Sequence, residues 1–194
     1  MSTSRPAVGA LVLLDANILY PIRLCDFFLT AGTVGLIAKP VVSEEILAEA
    51  QRNVTADRSD LGEDRIKRRF DAVRTATSGG DDSIPKRYFD TTVVNEKARH
   101  VLAAARFHAV DFVVTNDARL RREINRWISE RPKPHLAAAL TADDLVAGFV
   151  SEDATITRSV IHAMADRSRN PPRLFAEVVE GLVNSLPALY VLQT

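Results

Sequence analysis

The sequence predicts an α/β fold: a parallel central sheet flanked by helices, followed by a helical C-terminal appendage. Three observations carry this. Short apolar runs alternate with stretches of helical periodicity, the order expected of strand–helix–strand units. The runs at 11–14 and 112–114 are continuously apolar, as strands covered on both faces are. After Ser151 the strand pattern stops and two helical stretches follow each other. A chain of 194 residues can bury a substantial core, so we divide it into a domain at 9–150 and an appendage at 151–194.

Each element has its own signal. Leu11-Val12-Leu13-Leu14 reads as a buried strand that stops at Asp15. Residues 22–30 read as a helix with Leu24, Phe27 and Phe28 on one side, stopped by Gly32. Residues 35–42 read as a second, short strand interrupted by Pro40. Ser43 is placed to cap a helix over 44–54, with Ile46, Leu47 and Ala50 as its inner face. Ile66, Phe70 and Val73 mark another helix, and the Ser, Gly, Asp and Pro cluster over 75–85 marks a loop. In the second half, Val101, Leu102 and Ala105 form the inner face of an Ala-rich helix over 98–109. Residues 111–115 make the clearest strand of the chain. Leu120, Ile124 and Ile128 mark the next helix, residues 135–140 a short strand, and Thr141 caps a helix over 143–150. The appendage reads as helices over 155–167 and 173–186, parted by Asn170-Pro171-Pro172. Val160, Ala163 and Met164, then Phe175, Val178, Val179 and Leu182, give these helices apolar faces too short to be stable alone. They are expected to pack on the domain, on a second copy or on a partner.

Composition removes several classes of function. Hydrophobic residues make up 46% and charged residues 26%, which excludes a wholly disordered chain. The formal net charge is +0, which excludes a globally basic nucleic-acid binder but leaves room for a local basic patch. Cys25 is the single cysteine, so neither an intrachain disulfide nor a multi-cysteine zinc site can form. No apolar run approaches the roughly 18 residues of a membrane span, and residues 1–10 lack the pattern of a secretory leader. We therefore expect a cytoplasmic protein with no membrane association.

Two strands end in the same way. The first delivers Asp15 and Asn17, and the strand at 111–115 delivers Thr115, Asn116 and Asp117. Sites of open α/β sheets lie beyond the carboxyl ends of their strands, and carboxylates at two such ends are the start of an oxygen-ligand metal site. Either aspartate alone is equally well read as a helix cap. Glu45 and Glu49, four residues apart, share one face of the helix that Ser43 caps. Taken alone, they read as a solvated acidic face.

Asp15-Ala16-Asn17-Ile18-Leu19-Tyr20-Pro21 after an apolar strand resembles the opening of a PIN-domain nuclease. Ser43 followed by Glu49 is similar to that family's second acidic position. Arg99-His100-Val101-Leu102-Ala103-Ala104-Ala105 resembles its central helix, and Val113-Val114-Thr115-Asn116-Asp117 its final strand and last acid. The likeness runs over roughly residues 11–147. The tail, with Arg169-Asn170-Pro171-Pro172, resembles the C-terminal region of one branch of VapC-type toxins. The resemblance implies a PIN-like sheet and a Mg²⁺- or Mn²⁺-dependent endoribonuclease toxin that cuts structured RNA such as tRNA or rRNA. It also implies a VapB-like antitoxin as partner, laying an amphipathic segment over an apolar groove. Asp15, Glu49 and Asp117 would hold the metal ion, with Asn17, Thr115, Asn116 and Glu45 in support. One position departs from the pattern: where the branch carries Asp before Arg-His-Val-Leu-Ala-Ala, this chain has Ala98. Glu96 points elsewhere on a helix, and Asn95 and Lys97 cannot replace a carboxylate. The resemblance therefore implies an enzyme weakened or inactive at Ala98, and the alternative is a non-catalytic PIN-like module that binds RNA or protein.

RNA also needs cations on the protein. Arg119, Arg121, Arg122, Arg126, Arg131 and Lys133 lie just after Asp117, against Glu123 and Glu130. We assign RNA phosphate contact to Arg119, Arg121, Arg122 and Arg126. Arg65, Lys67, Arg68 and Arg69 form a second cluster with weaker grounds, and His100 reads as an ordinary half-buried histidine. A haloacid-dehalogenase-type phosphatase would need a second Asp where Asn17 stands. A receiver domain would need an acidic pair where Asp15 stands alone.

Overall fold

The computed structural model describes residues 6–79, 83–131, 135–167 and 174–193. In chain order the elements are β1 (Val12–Leu14), α1 (Ala16–Leu19), α2 (Ile22–Val34), α3 (Glu44–Asp57), α4 (Glu63–Ala76), α5 (Glu96–Phe107), β2 (Phe112–Val114), α6 (Ala118–Ser129), β3 (Ala138–Leu140), α7 (Ala142–Glu152), α8 (Ala154–Arg167) and α9 (Phe175–Val183). The three strands form one parallel sheet in the order β1-β2-β3, so the fold is α/β. Val12 faces Phe112 across the first pair, and Phe112 faces Ala138 across the second. The pairing runs past the strand ends, where Asp15 donates its N–H to the Val114 carbonyl and Thr115 to the Leu140 carbonyl. The residues that follow β1 and β2 therefore leave the sheet side by side.

Residues 35–42 do not form the expected strand. They touch the sheet only at isolated parallel bridges, Ile37 with Ala10 and Val41 with Leu13. Pro40 has no N–H to give to a ladder, and the chain returns to β1 for only the residue that follows it. Ser78 then pairs with Val41 and donates to the Pro40 carbonyl, covering this edge. Gly32 does not stop α2 either. The helix passes through it and ends at Gly35, whose φ of 82° is the left-handed conformation glycine tolerates. Gly32 serves packing: a Cβ there would sit 2.7 Å from the Pro40 ring.

One buried cluster runs through the chain. All three residues of β1 and of β2 are buried, and the cluster includes Phe27 and Phe28 of α2, which meet edge to face. α8 packs on α2, and the short 3₁₀ turn at Pro187–Gln193 packs on α7 and α9. Val160, Ile161, Met164, Val178, Val179 and Leu182 belong to the same cluster as the sheet, while Ala163 and Phe175 stay partly exposed. The apolar face of α8 thus finds its partner in this chain's own α2, and that of α9 chiefly in α8 and the 3₁₀ turn. The sequence boundary at 150/151 falls within the last turn of α7. Lys133, Arg169 and the Asn170-Pro171-Pro172 break lie outside the described residues. Among the described residues no helix is long and apolar enough to cross a membrane.

Candidate functional site

The site lies at the carboxyl edge of the sheet. Asp15 follows β1 directly and is fully buried. Its Oδ1 accepts the Ala16 N–H at 2.8 Å, so it caps the short helix α1. Its Oδ2 accepts from Asn17 Nδ2 at 2.7 Å and from the Thr115 hydroxyl at 2.7 Å. Asn17 also donates to Thr115 Oγ1 at 3.0 Å, and its own Oδ1 accepts the Asn116 N–H at 3.0 Å. Asn116 Oδ1 in turn accepts the Ala142 N–H. Asn17, Thr115 and Asn116, expected as supports, thus lock the ends of β1, β2 and β3 to one another around the Asp15 carboxylate.

Asp117 arrives from β2. Its N–H donates to Thr115 Oγ1 at 3.1 Å, and its Oδ1 accepts the N–H groups of Arg119 and Leu120 at the start of α6. Asp15 and Asp117 are therefore helix caps, and they are also members of one cluster. The cap reading of each holds, and Thr115 Oγ1 links the two residues by donating to Asp15 and accepting the Asp117 N–H.

The group that joins them is Lys97, which the sequence reading set aside. Asn95 caps α5 by accepting the Ala98 N–H, which puts Lys97 in the first turn. From there Lys97 Nζ reaches Glu49 Oε1 on α3 at 2.8 Å and Asp15 Oδ2 at 3.7 Å. Asp117 adds its charge to the same ammonium. Two carboxylates, Glu49 and Asp15, thus flank one ammonium, and the charge of Asp117 acts on it without a direct contact. Ala98, beside Lys97, is fully buried on the inner face of α5 with Val101, Leu102 and Ala105. Glu45 stands one turn before Glu49 and lines a shallow cleft with Glu49, Arg52, Glu96, Lys97 and His100. His100 packs its ring edge-on to Phe89, and its Nδ1 is buried without a hydrogen-bond partner.

The electrostatics follow from this placement. Burial pushes the Asp15 carboxyl up, and Lys97, the Thr115 hydroxyl and the Ala16 N–H only partly oppose it. The two backbone N–H groups of α6 hold Asp117 below the usual carboxylate range, with Lys97 and Arg119 adding to the effect. Burial works against the Lys97 ammonium, but the Glu49 hydrogen bond and the charges of Asp15, Glu49 and Asp117 outweigh it and raise its pKa.

Asp15, Glu49 and Asp117 offer oxygen donors, the kind a hard divalent cation takes, but Lys97 lies between Asp15 and Glu49. As they stand, no three His, Cys, Asp or Glu side chains among the described residues are close enough to share an ion. Lys97 fills that place.

Arg119, Arg122 and Arg126 lead away from Asp117 along the exposed face of α6, at the three- and four-residue spacing of one helix face. Arg121 turns inward and reaches the Thr115 carbonyl at 3.4 Å. Arg131 lies apart from this row. It pairs with Asp90 and stacks on Trp127 at 4.1 Å, while Trp127 Nε1 donates to the same Asp90 oxygen. In the second basic cluster Arg69 donates to the carbonyls of Leu19 and Tyr20, closing the end of α1.

No family model, curated protein or solved structure matches this chain.

Proposed function

We propose that the chain is a PIN-like, VapC-type endoribonuclease dependent on Mg²⁺ or Mn²⁺, acting on structured RNA and held in check by a VapB-like antitoxin, with its activity impaired at Ala98. The observation that supports this reading is the pairing of Lys97, next to Ala98, with both Glu49 and Asp15, while Thr115 links Asp15 to Asp117. A divalent ion bound there supplies an activated water and neutralises phosphate charge. The chain's own residues do the rest. Asn17 and Thr115 fix the Asp15 carboxylate, and the α6 N–H groups fix that of Asp117. Arg119, Arg122 and Arg126 offer an RNA backbone a row of cations that begins at the acids.

Lys97 favours a second reading, a non-catalytic PIN-like module that binds RNA or protein. An ammonium already neutralises part of the cluster, and position 98 contributes no carboxylate. One comparison separates the two. Wild type and Ala98→Asp are incubated with tRNA and rRNA fragments and excess Mn²⁺, with and without chelator. The nuclease reading expects chelator-sensitive cleavage by Ala98→Asp, at least tenfold faster than wild type. No cleavage by either protein, with RNA binding retained, would establish the binding module. Equal cleavage by both would show that Ala98 is irrelevant.

A further inference from the structure

We infer that Lys97 is a built-in counter-ion of the carboxylate cluster: its ammonium holds the place of a divalent cation and sets how weakly the wild-type chain binds one. This rests on the reading of Asp15, Glu49 and Asp117 as an ion site, and it names what controls that site.

The carboxylates of Glu49 and Asp15 face the same point and repel one another, with the charge of Asp117 adding to this, and Asp15, wholly out of water, gains least from solvent screening. The cluster is tolerable only with a cation inside it. Lys97 provides that cation from α5, bonded to Glu49 at 2.8 Å and 3.7 Å from Asp15. With it in place the Asp15 carboxylate is fully engaged. Oδ2 faces Asn17, Thr115 and Lys97, and Oδ1 holds Ala16. A metal ion must therefore displace the ammonium from Glu49 before it gains those oxygens. Because the lysine is tethered, it competes at a high effective concentration and loses no freedom of association. A compact ammonium on a flexible stem can occupy such a site and withdraw from it.

Lys97→Met keeps the apolar stem and removes the charge, whereas Lys97→Arg keeps the charge. Full-length wild type and both variants are titrated with Mn²⁺ alone, and free Mn²⁺ is read by electron paramagnetic resonance. Lys97→Met is expected to bind Mn²⁺ at least tenfold more tightly than wild type, with Lys97→Arg within a few-fold of wild type. Thermal melts supply the second measurement. Without metal Lys97→Met melts below wild type, and Mn²⁺ raises its Tm while leaving that of wild type nearly unchanged. If Lys97→Met does not fold without metal, Mn²⁺ should restore its fold. Unchanged or weaker Mn²⁺ affinity in Lys97→Met, or failure of Mn²⁺ to stabilise it, overturns the inference. The two proposals fail separately. Cleavage by Ala98→Asp without a gain in affinity from Lys97→Met refutes the counter-ion role alone. Tight Mn²⁺ binding by a Lys97→Met, Ala98→Asp double variant that cuts no RNA refutes the nuclease alone.

Discussion

Asp117 performs two tasks that two substitutions can separate. Its Oδ1 caps α6 through the N–H groups of Arg119 and Leu120, and its charge faces Lys97. Asn caps a helix about as well as Asp, whereas Ala does not cap at all. Asp117→Ala should therefore cost about 1 kcal/mol for the lost cap, plus roughly 0.5 kcal/mol for the lost charge at the helix N-terminus. Asp117→Asn should lose only that second, roughly 0.5 kcal/mol part. For a chain of this size each 1 kcal/mol moves Tm by roughly 2–4 °C. The expectation is a fall of about 3–6 °C for Ala and about 1–2 °C for Asn, read by circular dichroism at low ionic strength. Cleavage should follow the charge and not the cap. In an Ala98→Asp background both Asp117→Asn and Asp117→Ala should lose metal-dependent activity to a similar degree. Full activity in the Asn form would show that Asp117 is only a cap. Equal melting points for Asn and Ala would show that the cap contributes nothing.

Two further outcomes test the basic row and the support beneath it. Replacing Arg119, Arg122 and Arg126 together by Gln should weaken RNA binding at low salt and lower the slope of log affinity against log salt by roughly 2, as three lost phosphate contacts require. An unchanged slope in fluorescence anisotropy would remove these residues from the interface. Asp90→Ala strips acceptors from Thr92, the buried Trp127 and Arg131 and should cost about 2–3 kcal/mol. The Thr92 and Trp127 hydrogen bonds hold the Asp90 carboxyl well below its ordinary value, and Arg131 adds to this. Its folded pKa is thus below its unfolded one, so its contribution is present above the unfolded value of 3.8 and is lost as pH falls through the folded one. Urea melts should show wild type losing stability below about pH 4 more steeply than Asp90→Ala, and parallel pH profiles would contradict this role.

The elements legible in the sequence are those whose signal is local. Phe112-Val113-Val114 is a continuous apolar run closed by Thr115, and it forms β2. Ser43 and Thr141 cap the helices they were expected to cap. Position 40 shows the limit: a proline between apolar residues reads as an interrupted strand, but whether the chain rejoins the sheet depends on Ser78 pairing from far along it. Helix phase was legible only to within a residue. Leu120 and Ile124 are buried as expected, yet Trp127 takes the third inward position and Ile128 stays partly exposed. Trp127 wins because Asp90 and Arg131 satisfy and cover its ring. The acids could be proposed from strand ends and from family resemblance. Lys97 could not, because its role lies in where its long stem ends. The available signal was its place in the first turn after the Asn95 cap, next to the position where a carboxylate was sought.

That adjacency changes what Ala98 means. Viewed along the sequence, Ala98 is a missing ligand in an otherwise complete set. In the structure the same turn of α5 both lacks a carboxylate at 98 and carries an ammonium at 97 that reaches Glu49 and Asp15. The two features act in one direction, since each reduces the negative charge facing a metal ion. Restoring Asp at 98 adds a fourth carboxylate to a cluster that one lysine now serves, which strengthens the demand for a second cation. Position 98 lies at the amino end of α5, where the helix dipole favours a carboxylate, but it is fully buried, so the added charge is accommodated only if a cation comes to meet it. On the proposed nuclease reading, the charge state of this single helical turn decides whether the cluster closes on its own lysine or opens to an ion. The arginine row of α6 begins two residues after Asp117 in either case, so RNA binding and metal binding, both proposals, can be tested separately.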